Sequence, residues 1–277
     1  AGELPAMSLA TLAAKPAPHV RLIGVISAAH FTSHIYILIL APLLLFAFVS
    51  TLVGIWWPSV AYAVAVLGGT LSLAAAGAGL FHVLTVGEIR YYLGGWPPPF
   101  GIEYVLDPLS AFIATVVLLI GSIVLVYPPR AGLYAAPRSG IPLYGMMRLL
   151  LAGLLGVVVT GDLFNLFVFL EIYSIASYAL ITLGGKRALV ASFRYLIMGT
   201  IAGSFYLLGV GFIYFATGSL NMADVARLLP PLYESPAIVT AVALIVIALG
   251  IKIALFPLHM WLPDAHSYAP SVIAAIL

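Results

Sequence analysis

The chain has 277 residues, of which 64% are apolar and 7% are Asp, Glu, Lys or Arg. Soluble chains carry roughly a quarter charged residues, so the 11 basic and 9 acidic side chains here could not coat a water-exposed globule. A formal charge of +2 from scattered basic residues argues against nucleic-acid binding, and the absence of cysteine removes disulfides, thiolate nucleophiles and iron–sulfur ligands.

At ~20 residues per crossing, the sequence predicts an all-α polytopic membrane bundle of about seven to eight transmembrane helices and no separate catalytic domain. Residues 1–35 read as a loose lead and interfacial segment, in which His30 and His34 lie on one helix face. Helices one to three fall within 36–142, with crossings expected near 36–55, 60–83 and 106–127. The stretch 143–277 holds crossings near 143–160, 163–183, 195–217 and 238–256, and an eighth beginning near Ala269. Pro- and Gly-rich connectors such as Leu93–Gly101 separate them. The connectors after the third and fifth crossings carry Arg130 and Arg138, then Lys186, Arg187 and Arg194; Arg148 stands just inside the fourth helix. Those after the second, fourth and sixth are net acidic. The positive-inside rule puts the first set in the cytoplasm. Gly199 and Gly203, spaced Gly-xxx-Gly, and the Gly- and Ala-rich run from Gly68 predict close helix approach.

Two charges stand deep inside apolar runs. Glu171 lies about 12 Å along its helix at 1.5 Å per residue, and Lys252 follows fifteen residues, 237–251, without an ionisable side chain. Each costs ~2.5–3.5 kcal/mol at a helix centre, which argues for a counter-charge or hydration and for proton or ion handling; a structural ion pair is the plainer alternative. Ser174, Tyr178 and Thr182 share the Glu171 face within about 80° of arc. Measured from the outer ends of their spans, Glu171 and Lys252 differ in depth by ~9 Å, so direct contact needs tilt or a bridging water. Pro257 deprives the Ile253 carbonyl of its helical partner. With Gly250 and Pro263, it predicts a break between Ile253 and Pro263, of the kind that marks ion pathways. His259, Asp264 and His266 follow without a zinc-ligand spacing; the imidazoles suit a proton entry route or loop anchoring. Neither a metal site nor a cofactor is expected.

Three segments carry a resemblance: Thr160-Gly-Asp-Leu-Phe-Asn-Leu-Phe-Val-Phe-Leu-Glu171, Lys186-Arg-Ala-Leu-Val-Ala-Ser-Phe-Arg-Tyr-Leu196 and Gly250-Ile-Lys-Ile-Ala-Leu-Phe-Pro-Leu-His-Met-Trp-Leu-Pro-Asp-Ala-His266. Over roughly residues 36–277 the chain resembles the proton-translocating antiporter modules. These are the D-type component of the multisubunit Mrp sodium/proton antiporter, related subunits of membrane-bound hydrogenases and sulfane reductases, and the antiporter-like subunits of respiratory complex I. Trp96-Pro-Pro-Pro-Phe-Gly-Ile-Glu103 is similar to the Mrp branch.

The resemblance implies a glutamate on the fifth helix, Glu171, paired with a lysine on a broken seventh, Lys252, with Pro257 and His259 matching the proline and histidine that follow. It implies an ion-translocating multi-pass subunit of a prokaryotic plasma membrane complex, working with other membrane subunits, the lipid bilayer, protons and possible sodium ions. No catalytic chemistry is assigned to this chain, although the surrounding complex could be an oxidoreductase. Such modules run to about fourteen helices in two inverted repeats; these residues match the N-terminal half, and the second repeat would lie in a continuation of the polypeptide or in a partner. A scaffold subunit without its own complete proton path is the alternative from another class, and a small permease is a third.

Overall fold

The computed structural model describes residues 40–127 and 141–277. The expected lead over 1–35, His30 and His34, and the connector bearing Arg130 and Arg138 lie outside the described residues. Helix α1 spans Leu40–Gly54, α2 Pro58–Thr85 and α3 Pro108–Val126. Then come α4, Ile141–Val159, α5, Leu163–Ile181, and α6, Lys186–Thr217. The short α7, Met222–Leu228, precedes α8, Pro236–Lys252, α9, Leu262–Tyr268, and α10, Ser271–Ala274. Four helices, α2, α3, α5 and α6, are long and apolar enough to cross a membrane, and α1, α4 and α8 are shorter apolar helices. The helical membrane bundle expected from composition is the fold observed.

Two features depart from the expected spans. Helix α6 starts nine residues before the predicted crossing, because the basic lead Lys186–Arg194 is helical although too polar to register as membrane core. The connector after α2 contains an antiparallel hairpin, β1 (Ile89–Tyr92) with β2 (Glu103–Leu106), in which Ile89 faces Leu106 and Tyr92 faces Glu103.

Local chemistry sets the helix ends. Asp107 caps α3 in a capping box, accepting from the Ser110 amide at 2.7 Å while the Ser110 hydroxyl accepts from the Asp107 amide at 2.8 Å; Pro108 follows at the first helical position. That amide bond holds the Asp107 carboxyl below its ordinary value. Asp162 caps α5 through the Asn165 amide at 2.7 Å, and burial pushes its carboxyl up. Gly218, at φ 71°, closes α6 by donating to the Tyr214 carbonyl.

Lipid supplies no hydrophobic incentive for one helix to prefer another, so close packing holds the bundle. Helix α2 packs on α3, α4 on α5, and α6 on α8 and α5. Gly153 allows α4 to meet α5 backbone to backbone: a Cβ there would lie 2.6 Å from the Tyr173 nitrogen. One buried core runs from Leu43 and Leu118 through Leu150 and Leu155 to Phe169, Ala176 and Ile273, and a second gathers Tyr178, Tyr195, Ile251 and Trp261 beneath α9.

At one end of the bundle three connectors are sewn together. Glu103, buried on β2, accepts from Arg90 at 3.0 Å and from the Asn221 side-chain amide at 2.6 Å. The Gly161 amide donates to the Glu103 carbonyl at 2.8 Å, and Met222 donates to the Gly161 carbonyl at 2.8 Å. Hydrogen bonds to Glu88 and then to Glu103 hold the Arg90 guanidinium above its ordinary value. The connectors after α2, α4 and α6 therefore share one end. At the other, Arg194 on α6 pairs with Asp264 on α9 at 2.6 Å.

Candidate functional site

Helices α5 and α8 bring the two deep charges into direct contact. Lys252 Nζ lies 3.2 Å from Glu171 Oε1 and donates to Ser174 Oγ at 2.6 Å. The lysine side chain is 8% exposed and the carboxylate 28%. No intervening water is needed to span the ~9 Å depth difference expected from the sequence. Segment 218–235, with α7 and the turn Pro230–Leu232, lets α8 begin about 12 Å farther out than α5, the rise of the eight extra residues between Pro236 and Lys252.

Lys252 is the last residue of α8, where unsatisfied carbonyls favour a cation. The helix stops there by its own cap. Leu255 donates to the Gly250 carbonyl at 2.8 Å and Ala254 to the Ile251 carbonyl at 3.1 Å, the paired bonds of a Schellman motif. The left-handed position usually taken by glycine is occupied by Ala254, at φ 52°. A side chain in that region costs about 1–2 kcal/mol, so the turn beside the lysine is strained. Pro257, which the sequence offers as the cause of the break, comes three residues after this turn and keeps the chain from resuming a helix until Leu262. Trp261 folds back to donate from Nε1 to the Ile251 carbonyl at 2.9 Å, satisfying the helix end again.

Helix α6 forms the opposite wall. Gly203 faces the carboxylate: a Cβ there would lie 2.8 Å from Glu171 Oε1. One turn earlier, Gly199 leaves the space taken by the Tyr178 hydroxyl, which is buried without a hydrogen-bond partner among the described residues. The Gly-xxx-Gly pair that reads as packing in the sequence thus seats the side chains of the polar stripe. The stripe itself divides. Ser174 joins the ion pair, Tyr178 packs on Gly199, and Thr182 donates at 2.6 Å to the Ala179 carbonyl of its own helix end. Beyond Tyr178, Tyr195 meets it edge-on at 4.6 Å and stacks on Trp261 at 4.0 Å. This aromatic column separates the pair from the end of the bundle where Arg194 meets Asp264.

His259 sits in the broken segment, half-buried, with its ring 5.5 Å from that of Phe256 and its Nδ1 unpartnered among the described residues. His266 lies on α9, half-buried, two residues beyond the Asp264 that pairs with Arg194. Among the described residues no hydrogen bond joins either histidine to Lys252.

Arg148 is the residue whose position the sequence conceals. Read as a neighbour of the connector, it is the eighth residue of α4, about 10 Å inside at 1.5 Å per residue, and fully buried. Its three guanidinium nitrogens have no hydrogen-bond partner among the described residues; its Cζ stands 5.6 Å from the Phe46 ring centre. Gly68 makes room for it, since a Cβ there would meet Nη1 at 2.6 Å. The run Met146-Met147-Arg148-Leu149-Leu150 was the available signal, masked by its nearness to the basic connector.

The chain is similar to known membrane proteins. Residues 160–277 match the family described as NADH:quinone oxidoreductase/Mrp antiporter, TM. The chain is 54% identical over 217 residues to an N-type subunit of the NADH-quinone oxidoreductase of Desulforudis audaxviator, covering 76% of this chain and 43% of that one. It is 36% identical over 195 residues to a D-type subunit of the Na(+)/H(+) antiporter of Bacillus subtilis, covering 70% and 39%. Among solved structures, a chain of the membrane-bound sulfane sulfur reductase, an archaeal respiratory membrane complex, superposes with a TM-score of 0.82 at 34% identity, over 87% of this chain and 49% of that one. The chain spans about half the length of the proteins it matches.

Proposed function

Because the chain belongs to the antiporter-like membrane subunits of the NADH:quinone oxidoreductase and Mrp antiporter family, we propose that Glu171 and Lys252 move protons through it as one coupled pair. The observation that carries this reading is the 3.2 Å contact between a carboxylate and an ammonium at a broken helix end. Burial favours the neutral forms of both groups, while their mutual attraction favours the charged forms. The two tendencies oppose each other across one short distance. A proton passing from Lys252 Nζ to Glu171 Oε1 leaves an amine beside a carboxylic acid and removes two charges from the membrane interior. Its return restores the ion pair, so a small change in separation or hydration decides where the proton rests.

Ser174 gives the ammonium a second acceptor at 2.6 Å. Lys252 can therefore swing away from Glu171 without becoming unsatisfied, and the strained turn at Ala254 lies where such a swing would be absorbed. His259 and His266, on the segment that leaves the lysine, suit proton exchange with the bundle end near Asp264. The rest of the path and the driving reaction belong to the remaining half of such a module and to other membrane subunits of an Mrp-type or complex I-type assembly in a prokaryotic plasma membrane.

Proton uptake by the complex reconstituted in vesicles tests the reading. Glu171→Gln and Lys252→Ala should each abolish ion-coupled proton transport, and the double variant should be no worse than either single one. Wild-type transport in both single variants would leave the pair a structural clamp and the chain a scaffold.

A further inference from the structure

At the bundle end opposite the β-hairpin, a cavity of about 340 Å³ opens between α6 and α9. Lys186, Arg187, Arg194, Asp264 and Tyr268 line it. Three cations face one anion, and that anion is committed to Arg194 at 2.6 Å. Lys186 and Arg187 are exposed and have no acidic partner among the described residues. They are also the first two residues of α6, whose N-cap, Gly185, offers no side-chain acceptor, and whose first turn contains no acid. Free amides, the positive end of a 32-residue helix and two unpaired cations thus converge on one concave surface.

The length of α6 fixes the depth of that surface. Thirty-two residues rise about 47 Å at 1.5 Å each, against ~30 Å of hydrocarbon and ~40–45 Å with both headgroup layers. The basic lead Lys186–Arg194 therefore stands at headgroup level. The outward face of the lead carries Leu189, Val190 and Phe193, each more than half exposed. Sharing Arg194 with the basic cavity, a second groove of about 460 Å³ continues toward the membrane interior along Ile197, Met198, Met260 and Trp261. A polar, cationic mouth joined to an apolar groove matches an amphiphile with an anionic head and an acyl tail.

We infer that this cavity binds the phosphodiester headgroup of an anionic phospholipid, with Lys186, Arg187 and the first amides of α6 holding the phosphate and an acyl chain lying against Ile197 and Met260. Charge complementarity selects against a zwitterionic lipid, whose ammonium would meet the same cations. The occupant touches the α9 segment that follows the break after Lys252, so the site links lipid composition to the element carrying the buried lysine. The inference stands apart from proton movement and would survive its failure.

The test measures lipid binding to the full-length subunit in its detergent-purified complex, by native mass spectrometry with added phosphatidylglycerol, phosphatidylcholine of the same chains, or inorganic phosphate. Phosphatidylglycerol should bind and phosphatidylcholine should not displace it. Lys186→Gln with Arg187→Gln should weaken phosphatidylglycerol binding about 30-fold, the loss of two surface cations at the usual strength of each. Binding by the unaltered protein should also fall steeply between 0.1 and about 1 M salt as the charges are screened; this keeps the test decisive if the double variant assembles poorly. Equal binding of both lipids, salt-independent binding, unchanged affinity in the double variant, or displacement of phosphatidylglycerol by millimolar phosphate would each overturn the assignment.

Discussion

Among the described residues two cations are buried, and they live differently. Lys252 is held at 3.2 Å by a carboxylate and at 2.6 Å by a hydroxyl, at the end of a helix, beside a strained turn. Arg148 is fully buried in the interior of α4, against the Phe46 ring and the Gly68 surface, with no hydrogen-bond partner among the described residues. An amine can give up its proton within a protein; a guanidinium in effect does not. Burial of charge therefore does not mark a relay by itself. What marks it is an exchangeable proton, a partner able to take it, and a backbone able to let the two separate. The Lys252 region has an amine and, 3.2 Å away, a carboxylate, beside the strained turn at Ala254, and is the one for which we propose a relay. The Arg148 region offers a fixed charge whose favourable contact is the face of an aromatic ring.

The sharpest way to break this contrast is to remove one charge from each region. Glu171→Gln leaves the 8%-exposed Lys252 ammonium without its counter-charge and should destabilise the protein by ~3–5 kcal/mol, measured by thermal unfolding in detergent. Arg148→Met replaces an unpaired buried charge with an apolar chain of similar length; it should leave stability level or raise it by ~1–2 kcal/mol and leave proton transport intact. Equal loss of transport in both would dissolve the distinction.

Gly203→Ala probes the wall behind the carboxylate. The added methyl meets Glu171 Oε1 at 2.8 Å, so transport should fall ~10- to 100-fold for a stability cost of ~1–3 kcal/mol. Ala254→Gly relieves the left-handed turn; thermal unfolding should show a gain of ~0.5–1 kcal/mol, smaller than the strain because glycine gains more freedom in the unfolded chain.

A comparably small effect belongs far from both charges. Asp107→Ala should cost ~1 kcal/mol through loss of the α3 cap. Because the Ser110 amide lowers the folded-state value of Asp107 below its ordinary 3.8, the charged cap stabilises fully above that value. Its contribution disappears as pH falls through the folded value, so Asp107→Ala and the unaltered protein should converge in stability in acid.

Much of this was legible in the sequence, for reasons that differ from residue to residue. Crossing helices announce themselves because lipid demands long apolar runs. Glu171 and Lys252 announce themselves because such runs tolerate charge so poorly. Their contact was not legible: α8 starts farther out than α5, and that offset depends on how 218–235 folds over the outer end. The basic residues from Lys186 to Arg194 read as a connector rather than as the start of α6, because a helix at headgroup level has no need of apolar residues. Strands β1 and β2 are four residues each, too short for alternation to stand out, and side-chain bonds between Glu103, Arg90 and Asn221 help tie them to the bundle. The role of Gly203 depends on which side chain α5 aims at it, a tertiary fact that Gly-xxx-Gly spacing does not contain.

Infrared difference spectroscopy of the complex during a pH titration tests the coupled pair most directly, because it observes the carboxyl group itself. The account predicts a protonated-carboxyl band that disappears in Glu171→Gln and changes in frequency and amplitude in Lys252→Met, as expected for groups in contact at 3.2 Å. A Glu171 band identical in Lys252→Met and in the unaltered protein would show two independent groups and contradict the account.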